Sequence, residues 1–299
     1  MPSPAASAME VLSRHGLPAT RQLIRRMHVG LDKAALAACP DSEDLKVQGA
    51  EGELCARLYR PESASVPGPL LVFFHGGGFV LCDLDSHDAL CRRLAAKAGM
   101  RVLSVDYRLA PEHRFPAMHR DAEAAYRWAV ANAGRLGADP ARIGLGGDSA
   151  GAHMALWMAL NGEDRPAFLA LLYPLLDVNQ EEWVGNPLKD LRFLGGVVIA
   201  YIRSQIEDFT DAGGSMEQFR MAGRDLSYLP PTVLAEVGVD PLRPGIHAFG
   251  EQMKAAGVKV EHLSFPTLPH GAFNFAYLSK QAAAGLDETA AAVRRAAEG

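Results

Sequence analysis

The chain alternates between short runs with strand composition and longer stretches in which apolar side chains recur every three or four positions. Runs of the first kind lie at 70–74, 102–105, 143–145, 168–173, 232–237 and 258–265, and Leu70–Phe74, apolar throughout, has the composition of a strand buried on both faces of a sheet. Stretches of the second kind, at 85–98, 118–136, 150–160, 243–256 and 281–297, predict helices. In the first of these helices Leu90, Leu94 and Ala98 share one face. Strands and helices taken in this order imply an α/β fold, a mostly parallel sheet with helices on both sides. Two further strands, 45–49 and 53–59, come before the rhythm begins. Ala50-Glu51-Gly52 between them has the composition of a hairpin turn.

Two segments fall outside this rhythm. Residues 9–39 are helical in pattern, with Val11, Leu12, Leu23, Ile24, Met27, Leu31 and Leu36 interrupted at Gly16-Leu17-Pro18 and Cys39-Pro40. Residues 177–225 contain no clear strand, only a helical pattern at 188–206 and a glycine-rich stretch at 211–215. The second segment separates two sheet strands and is too long for a simple crossover. The expected organisation is a helical cap built from residues 1–44 together with an insertion at about 178–225. The main domain then runs over 45–299.

Composition narrows the function classes. Hydrophobic residues make up 48% of the chain and charged residues 22%, ordinary values for a globular protein. A net charge of -5 with no basic run gives nucleic acid nothing to bind. No segment approaches the roughly 18 consecutive apolar residues of a membrane span. The first residues, Met1-Pro2-Ser3-Pro4-Ala5-Ala6-Ser7, lack the basic and apolar regions of a secretory leader. Cys39, Cys55, Cys82 and Cys91 show neither a Cys-x-x-Cys pair nor zinc-site spacing. A cytoplasmic protein with reduced thiols is the expectation.

The candidate chemistry begins at Ile143-Gly144-Leu145-Gly146-Gly147-Asp148-Ser149-Ala150-Gly151, where an apolar run meets a glycine pair and a helical pattern follows. Strand, sharp turn and helix, with Gly147-x-Ser149-x-Gly151 at the turn, is the form of a nucleophile elbow. A serine nucleophile needs a base, a group to orient that base, and donors for an oxyanion. In parallel sheets such groups collect in loops at the carboxyl ends of strands. The loop after 70–74 reads His75-Gly76-Gly77-Gly78-Phe79, whose glycines let backbone N–H groups face a ligand. His270 follows the last strand and is the candidate base. His75 belongs to the glycine loop and braces it, and His153 lies one helical turn beyond Ser149. His15, His28, His87, His113, His119, His247 and His262 fit no catalytic position. For the orienting acid two residues qualify: Asp240, one strand before the histidine, and Asp177, after 168–173. Asp240 is the stronger, which gives the chain order Ser149, Asp240, His270.

With these motifs in order the chain resembles the hormone-sensitive lipase family of α/β-hydrolases, the bacterial family IV carboxylesterases. The resemblance rests on His75-Gly76-Gly77-Gly78-Phe79, Asp106-Tyr107-Arg108-Leu109-Ala110-Pro111-Glu112, Gly147-Asp148-Ser149-Ala150-Gly151, Tyr173-Pro174, Leu229-Pro230-Pro231-Thr232, Asp240-Pro241-Leu242-Arg243 and His270-Gly271. It covers about residues 45–299. It implies an α/β-hydrolase fold with a helical cap and a serine esterase acting on small to medium acyl esters. Ser149, Asp240 and His270 would be its triad, and Gly76, Gly77 and Ala150 its oxyanion hole. No cofactor and no metal are implied, and a homodimer through the edge strand near 258–265 is. Phe79, Leu188, Phe193 and Leu194 are candidates for the substrate pocket. An amidase or lactonase with the same triad, or a ligand receptor on the same scaffold, stays open as an alternative. Cys82 where many relatives have glycine, Pro244-Gly245 in place of an acidic pair and Ala272 ahead of Phe273 are departures from the family pattern. So is the unfamiliar sequence of 179–224. They bear on the size of the substrate.

Overall fold

The two predicted strands ahead of the rhythm form a hairpin, β1 (Ser42–Gly49) and β2 (Gly52–Tyr59), with Gly49 opposite Gly52 and only Ala50 and Glu51 in the turn. This is a computed structural model, and it describes residues 16–28, 32–176, 219–221 and 223–299. After the hairpin come β3 (Gly68–Phe74) and β4 (Arg101–Val105), then β5 (Ala138–Asp148), β6 (Leu169–Leu172), β7 (Thr232–Val239) and β8 (Val260–Pro269). They form one eight-stranded sheet in the order β1-β2-β4-β3-β5-β6-β7-β8. The β1–β2 and β2–β4 pairs are antiparallel and the other five are parallel. The α/β-hydrolase architecture expected from the resemblance is therefore present, with β8 at one edge.

The central strands are apolar because both their faces are covered. Every residue of β3 is buried, and so are all of β4 and β6. The described α-helices are α1 (Leu17–His28), α2 (Lys33–Ala38), α3 (Asp88–Ala98), α4 (Ala117–Ala131), α5 (Ala133–Leu136), α6 (Ala150–Asn161), α7 (Arg243–Ala255) and α8 (Lys280–Glu298). α8 is tied to α3 by Asp287, which accepts from Arg93 Nε at 2.7 Å.

Several element ends differ from the sequence expectation, with β1 and β3 beginning earlier, α3 beginning later and β7 ending later, and three further differences have a visible cause. β5 runs over eleven residues rather than three, because its first residue already pairs with Gly68 of β3. The helix expected at 118–136 is broken at Asn132, whose side-chain amide turns back onto the Trp128 carbonyl at 2.8 Å. Gly137, at φ 66°, then ends α5 in a left-handed cap. β8 starts two residues later than expected and continues to Pro269, since a register shift lets Pro269 pair with Val239. That extension brings the next residue, His270, level with the end of β7, where its N–H donates to the Val239 carbonyl at 3.2 Å.

α1 docks on the main domain through Arg21. Its guanidinium donates to the Val80 carbonyl (2.7 Å), the Ala110 carbonyl (2.8 Å) and the Glu112 carboxylate (2.8 Å). Arg25 pairs with Asp85. The helix therefore lies beside the loop that follows the glycine run. Most of the expected insertion, with Leu188, Phe193, Leu194 and the rival acid Asp177, lies outside the described residues. Among the described residues no helix is long and apolar enough to cross a membrane.

Candidate active site

Ser149 sits between the last residue of β5 and the first of α6, at φ 52° and ψ −115°. A non-glycine residue there carries strain of about 1–3 kcal/mol. The surrounding contacts impose it. The Ser149 N–H donates to the Leu172 carbonyl at 2.9 Å, and its carbonyl accepts from the N–H groups of His153 and Leu175, each at 3.1 Å. The flanking glycines are required by close approach to the end of β3. A Cβ on Gly147 would lie 2.4 Å from the Phe74 carbonyl oxygen, and one on Gly151 only 1.9 Å from it.

The strained turn directs the hydroxyl at a histidine. Ser149 Oγ lies 2.9 Å from His270 Nε2, and His270 Nδ1 lies 2.7 Å from Asp240 Oδ2. Since a carboxylate only accepts, Nδ1 carries the proton, and the Nε2 lone pair faces the serine hydroxyl. The other oxygen of Asp240 accepts from the Leu242 N–H at 2.8 Å, which fixes the carboxylate in the β7–α7 loop. Burial disfavours the charged imidazole of His270. The Asp240 charge and hydrogen bond outweigh that, so its pKa is raised above the ordinary histidine value. The Asp240 side chain is fully buried, while that of His270 keeps 32% exposure, the side from which a substrate can arrive.

The glycine loop requires a correction. Gly76 was expected as an oxyanion donor, but its N–H donates to Asp148 Oδ1 at 2.8 Å. A donor aimed at a buried carboxylate is not available to a substrate. Among the described residues the N–H groups of Gly77, Gly78 and Ala150 have no acceptor. Gly77 has φ 110°, and a Cβ there would meet the Leu81 carbonyl oxygen at 2.3 Å, so only glycine is tolerated. The repeated glycines hid the register. One residue decides it, and that residue is Asp148.

Asp148 ties three loops together. Besides Gly76 it accepts from Asn274 Nδ2 at 3.2 Å, and its Oδ1 lies 3.1 Å from His87 Nε2. Burial raises its pKa, but His87 and the Gly76 N–H pull harder, and the carboxyl is held below its usual range. Its hydrogen bonds reach beyond the elbow to the glycine loop and to the turn after His270. The sequence places His87 at no catalytic position and does not single out Asn274, because neither lies near the elbow in sequence. His75 braces the glycine loop as expected. Its Nδ1 contacts the Gly76 carbonyl at 2.8 Å, and its ring stacks on Tyr107 at 4.4 Å. His153 is structural too, with Nδ1 on the Leu175 carbonyl at 2.8 Å. Phe79 packs against His119, His153 and Phe219 with ring centroids 5.7, 5.7 and 6.0 Å away. Cys82, where the resemblance leads one to expect glycine, takes φ 73°, a backbone conformation that favours glycine.

A strained serine, a histidine and a buried aspartate in one hydrogen-bonded line, on these strands and in this chain order, point to one fold family. The family model described as alpha/beta hydrolase fold matches residues 71–274. The chain belongs to the α/β-hydrolase fold family. Within it, the resemblance to the hormone-sensitive lipase type is borne out by its relatives. The carboxylic ester hydrolase LipN of Mycobacterium tuberculosis is 38% identical over 268 residues, 85% of this chain and 70% of that protein. The ethyl acetate hydrolase of Pseudomonas putida is 30% identical over 289 residues, 94% of this chain and 91% of that one. A solved esterase from Pyrobaculum calidifontis superposes with a TM-score of 0.81 at 30% identity, covering 93% of this chain and 92% of that one.

Proposed function

We propose that the chain is a serine carboxylesterase that hydrolyses small to medium acyl esters through an acyl-enzyme. One observation carries the reading: the continuous hydrogen-bond line from Asp240 through His270 to Ser149, with the serine at a strained strand-to-helix turn. His270 Nε2 takes the hydroxyl proton as Ser149 Oγ attacks the ester carbonyl. Asp240 holds the imidazole in its Nδ1–H tautomer and stabilises the imidazolium that forms. The N–H groups of Gly77, Gly78 and Ala150 receive the oxyanion, each contributing about 3 kcal/mol to lowering the barrier. His270 then returns its proton to the leaving alcohol. Water, activated by the same imidazole, attacks the acyl-enzyme and releases the acid. Every group in this sequence is a side chain or backbone amide of the chain itself.

The site also supports smaller inferences. Phe79, adjoining the amide donors in sequence, forms part of the pocket wall. α1 is one half of a cap, docked by Arg21, whose other half is the insertion at about 178–225. The four cysteines are all free thiols, in keeping with a reducing, cytoplasmic location. The edge position of β8 supports a homodimer paired through that strand.

A fluorophosphonate tests the assignment of the nucleophile. Its phosphorus is attacked by the activated oxygen, fluoride leaves, and the adduct stays on that oxygen. Mass spectrometry of the digested protein should find one equivalent on the peptide containing Ser149. Labelling at another residue would mean that the nucleophile is misassigned.

A further inference from the structure

One level below the triad, the same two strands carry a second polar cluster. Glu236 on β7, His247 on α7 and His262 on β8 each present one ligand atom, all within 4.8 Å of one another. Glu236 is only 1% exposed, and its two oxygens have different partners. Oε1 accepts from Ser264 Oγ at 2.8 Å and from Arg243 Nε at 3.3 Å. Oε2 faces His262 Nε2 at 3.1 Å and His247 Nδ1 at 3.3 Å.

We infer that Glu236, His247 and His262 form a binding site for a divalent transition-metal cation of the zinc type. A tetrahedral cation bound at about 2.0–2.1 Å keeps its ligands about 3.3 Å from one another. The two Oε2-to-nitrogen separations of 3.1 and 3.3 Å already match that edge. Two imidazoles with one carboxylate suit zinc-like ions, whereas calcium and magnesium require shells of oxygen. Three protein ligands leave a fourth position for water. The His247 side chain is 61% exposed, so a cation can enter from solvent. Ser264 and Arg243 hold the remaining carboxylate oxygen and orient it, as outer partners do in metal sites. On binding, each neutral imidazole shifts its proton to its other ring nitrogen, and the freed lone pair faces the cation. Glu236, His247 and His262 lie on three elements with no recognisable spacing, so the sequence alone could not unite them.

A cation here fastens α7 and β8 to β7. Asp240 and His270 directly follow the ends of these strands, four and eight residues beyond Glu236 and His262. The cation therefore stabilises the frame of the triad without entering the reaction. The test uses the untagged full chain, stripped with a chelator and titrated with Zn2+ in a calorimeter. Tm is measured with and without Zn2+, and Co2+ absorption reports the coordination geometry. The expected result is one equivalent per chain, a Zn2+-dependent rise in Tm and a tetrahedral Co2+ spectrum. His247→Ala, on an exposed helix face, should weaken binding by more than about tenfold and remove the Tm rise. His262→Ala should do the same. Absence of stoichiometric Zn2+ binding would overturn the inference. So would equal affinity in the wild type and both variants, because the cation would then sit elsewhere.

Discussion

β7 and β8 each contribute to two clusters of serine, histidine and carboxylate, and only one of them is wired to activate a serine. At the carboxyl ends of the strands the order is Asp240, His270, Ser149, with the histidine in the middle. One level down, Glu236 is in the middle, with Ser264 on one oxygen and His262 and His247 on the other. There the serine hydroxyl donates to a carboxylate, and among the described residues no hydrogen bond links it to an imidazole nitrogen. Ser264 also lies within a strand, whereas Ser149 is held at φ 52° between a strand and a helix. On the proposed function, the same three residue types therefore give a nucleophile in one connectivity and a structural cluster in the other. The environment differs as well. Ser149 has the unclaimed amides of Gly77, Gly78 and Ala150 within its turn and the adjoining loop, whereas Ser264 is a residue of a paired strand.

The widest separation between the two clusters should appear on removing each serine. Ser149→Ala should lower kcat for a short-chain nitrophenyl ester by roughly 10⁴–10⁶-fold. Ser264→Ala should leave kcat within a few-fold of wild type. Comparable losses in the two variants would mean that connectivity does not decide the chemistry.

The carboxylates come next. Asp240→Asn should reduce kcat by about 10⁴-fold, because an amide in place of the carboxylate favours the wrong imidazole tautomer. Glu236→Gln should act on stability instead. It alters a buried group with four partners, and a loss of about 1–3 kcal/mol is expected in denaturant unfolding, with kcat little changed. A large loss of kcat at Glu236 with stability intact would place it in the reaction.

The two clusters also mark how far the sequence could be read. The proposed triad could be drawn from the sequence because each member follows a strand and sits in a short motif of its own, and strand order alone brings the three loops to one edge. The central strands were legible because burial on both faces leaves continuous apolar runs such as Leu70–Phe74. The register of the glycine loop was not, because three identical residues carry no mark of which N–H is taken. Only the carboxylate of Asp148, reaching across from another strand, removes Gly76 from the donors. The Glu236 cluster was illegible for a related reason. Its members come from two strands and a helix, and only the register that sets Glu236 opposite Ser264 brings them together. The ends of β5 and β8 were missed because pairing with a neighbour, rather than hydrophobicity, extends them.

Asp148 offers a finer test, since it supports the active cluster without touching a reacting atom. Asp148→Asn should loosen the Gly76 amide, His87 and Asn274 together, letting the glycine loop drift from the oxyanion position. Misplacement by about 1 Å costs on the order of 10²-fold in rate, so a loss of about 10–100-fold in kcat is expected. Because Ser149 and His270 stay paired, fluorophosphonate labelling should still reach one equivalent, only more slowly. Complete loss of labelling would show that Asp148 acts on the nucleophile rather than on the donors.

The smallest effect is in the acid limb of the pH profile, and it separates the two histidine environments directly. Burial pushes both His262 and His270 toward the neutral form. For His262 that pull prevails and the pKa is lowered, whereas the charge and hydrogen bond of Asp240 raise His270 above its ordinary value of about 6.5. A base works only when neutral, so kcat/KM should be full at alkaline pH and fall as pH drops through the His270 pKa. The midpoint should therefore lie above 6.5. Well below it the slope should be about tenfold per pH unit, as one proton is added. Replacing Asp240 with asparagine removes the charge that raises the pKa and leaves the burial that lowers it. The midpoint of the residual activity should then move to lower pH. A midpoint that stays put in that variant would show that another group controls the limb, and the raised pKa of His270 could no longer be credited to its position between Asp240 and the serine.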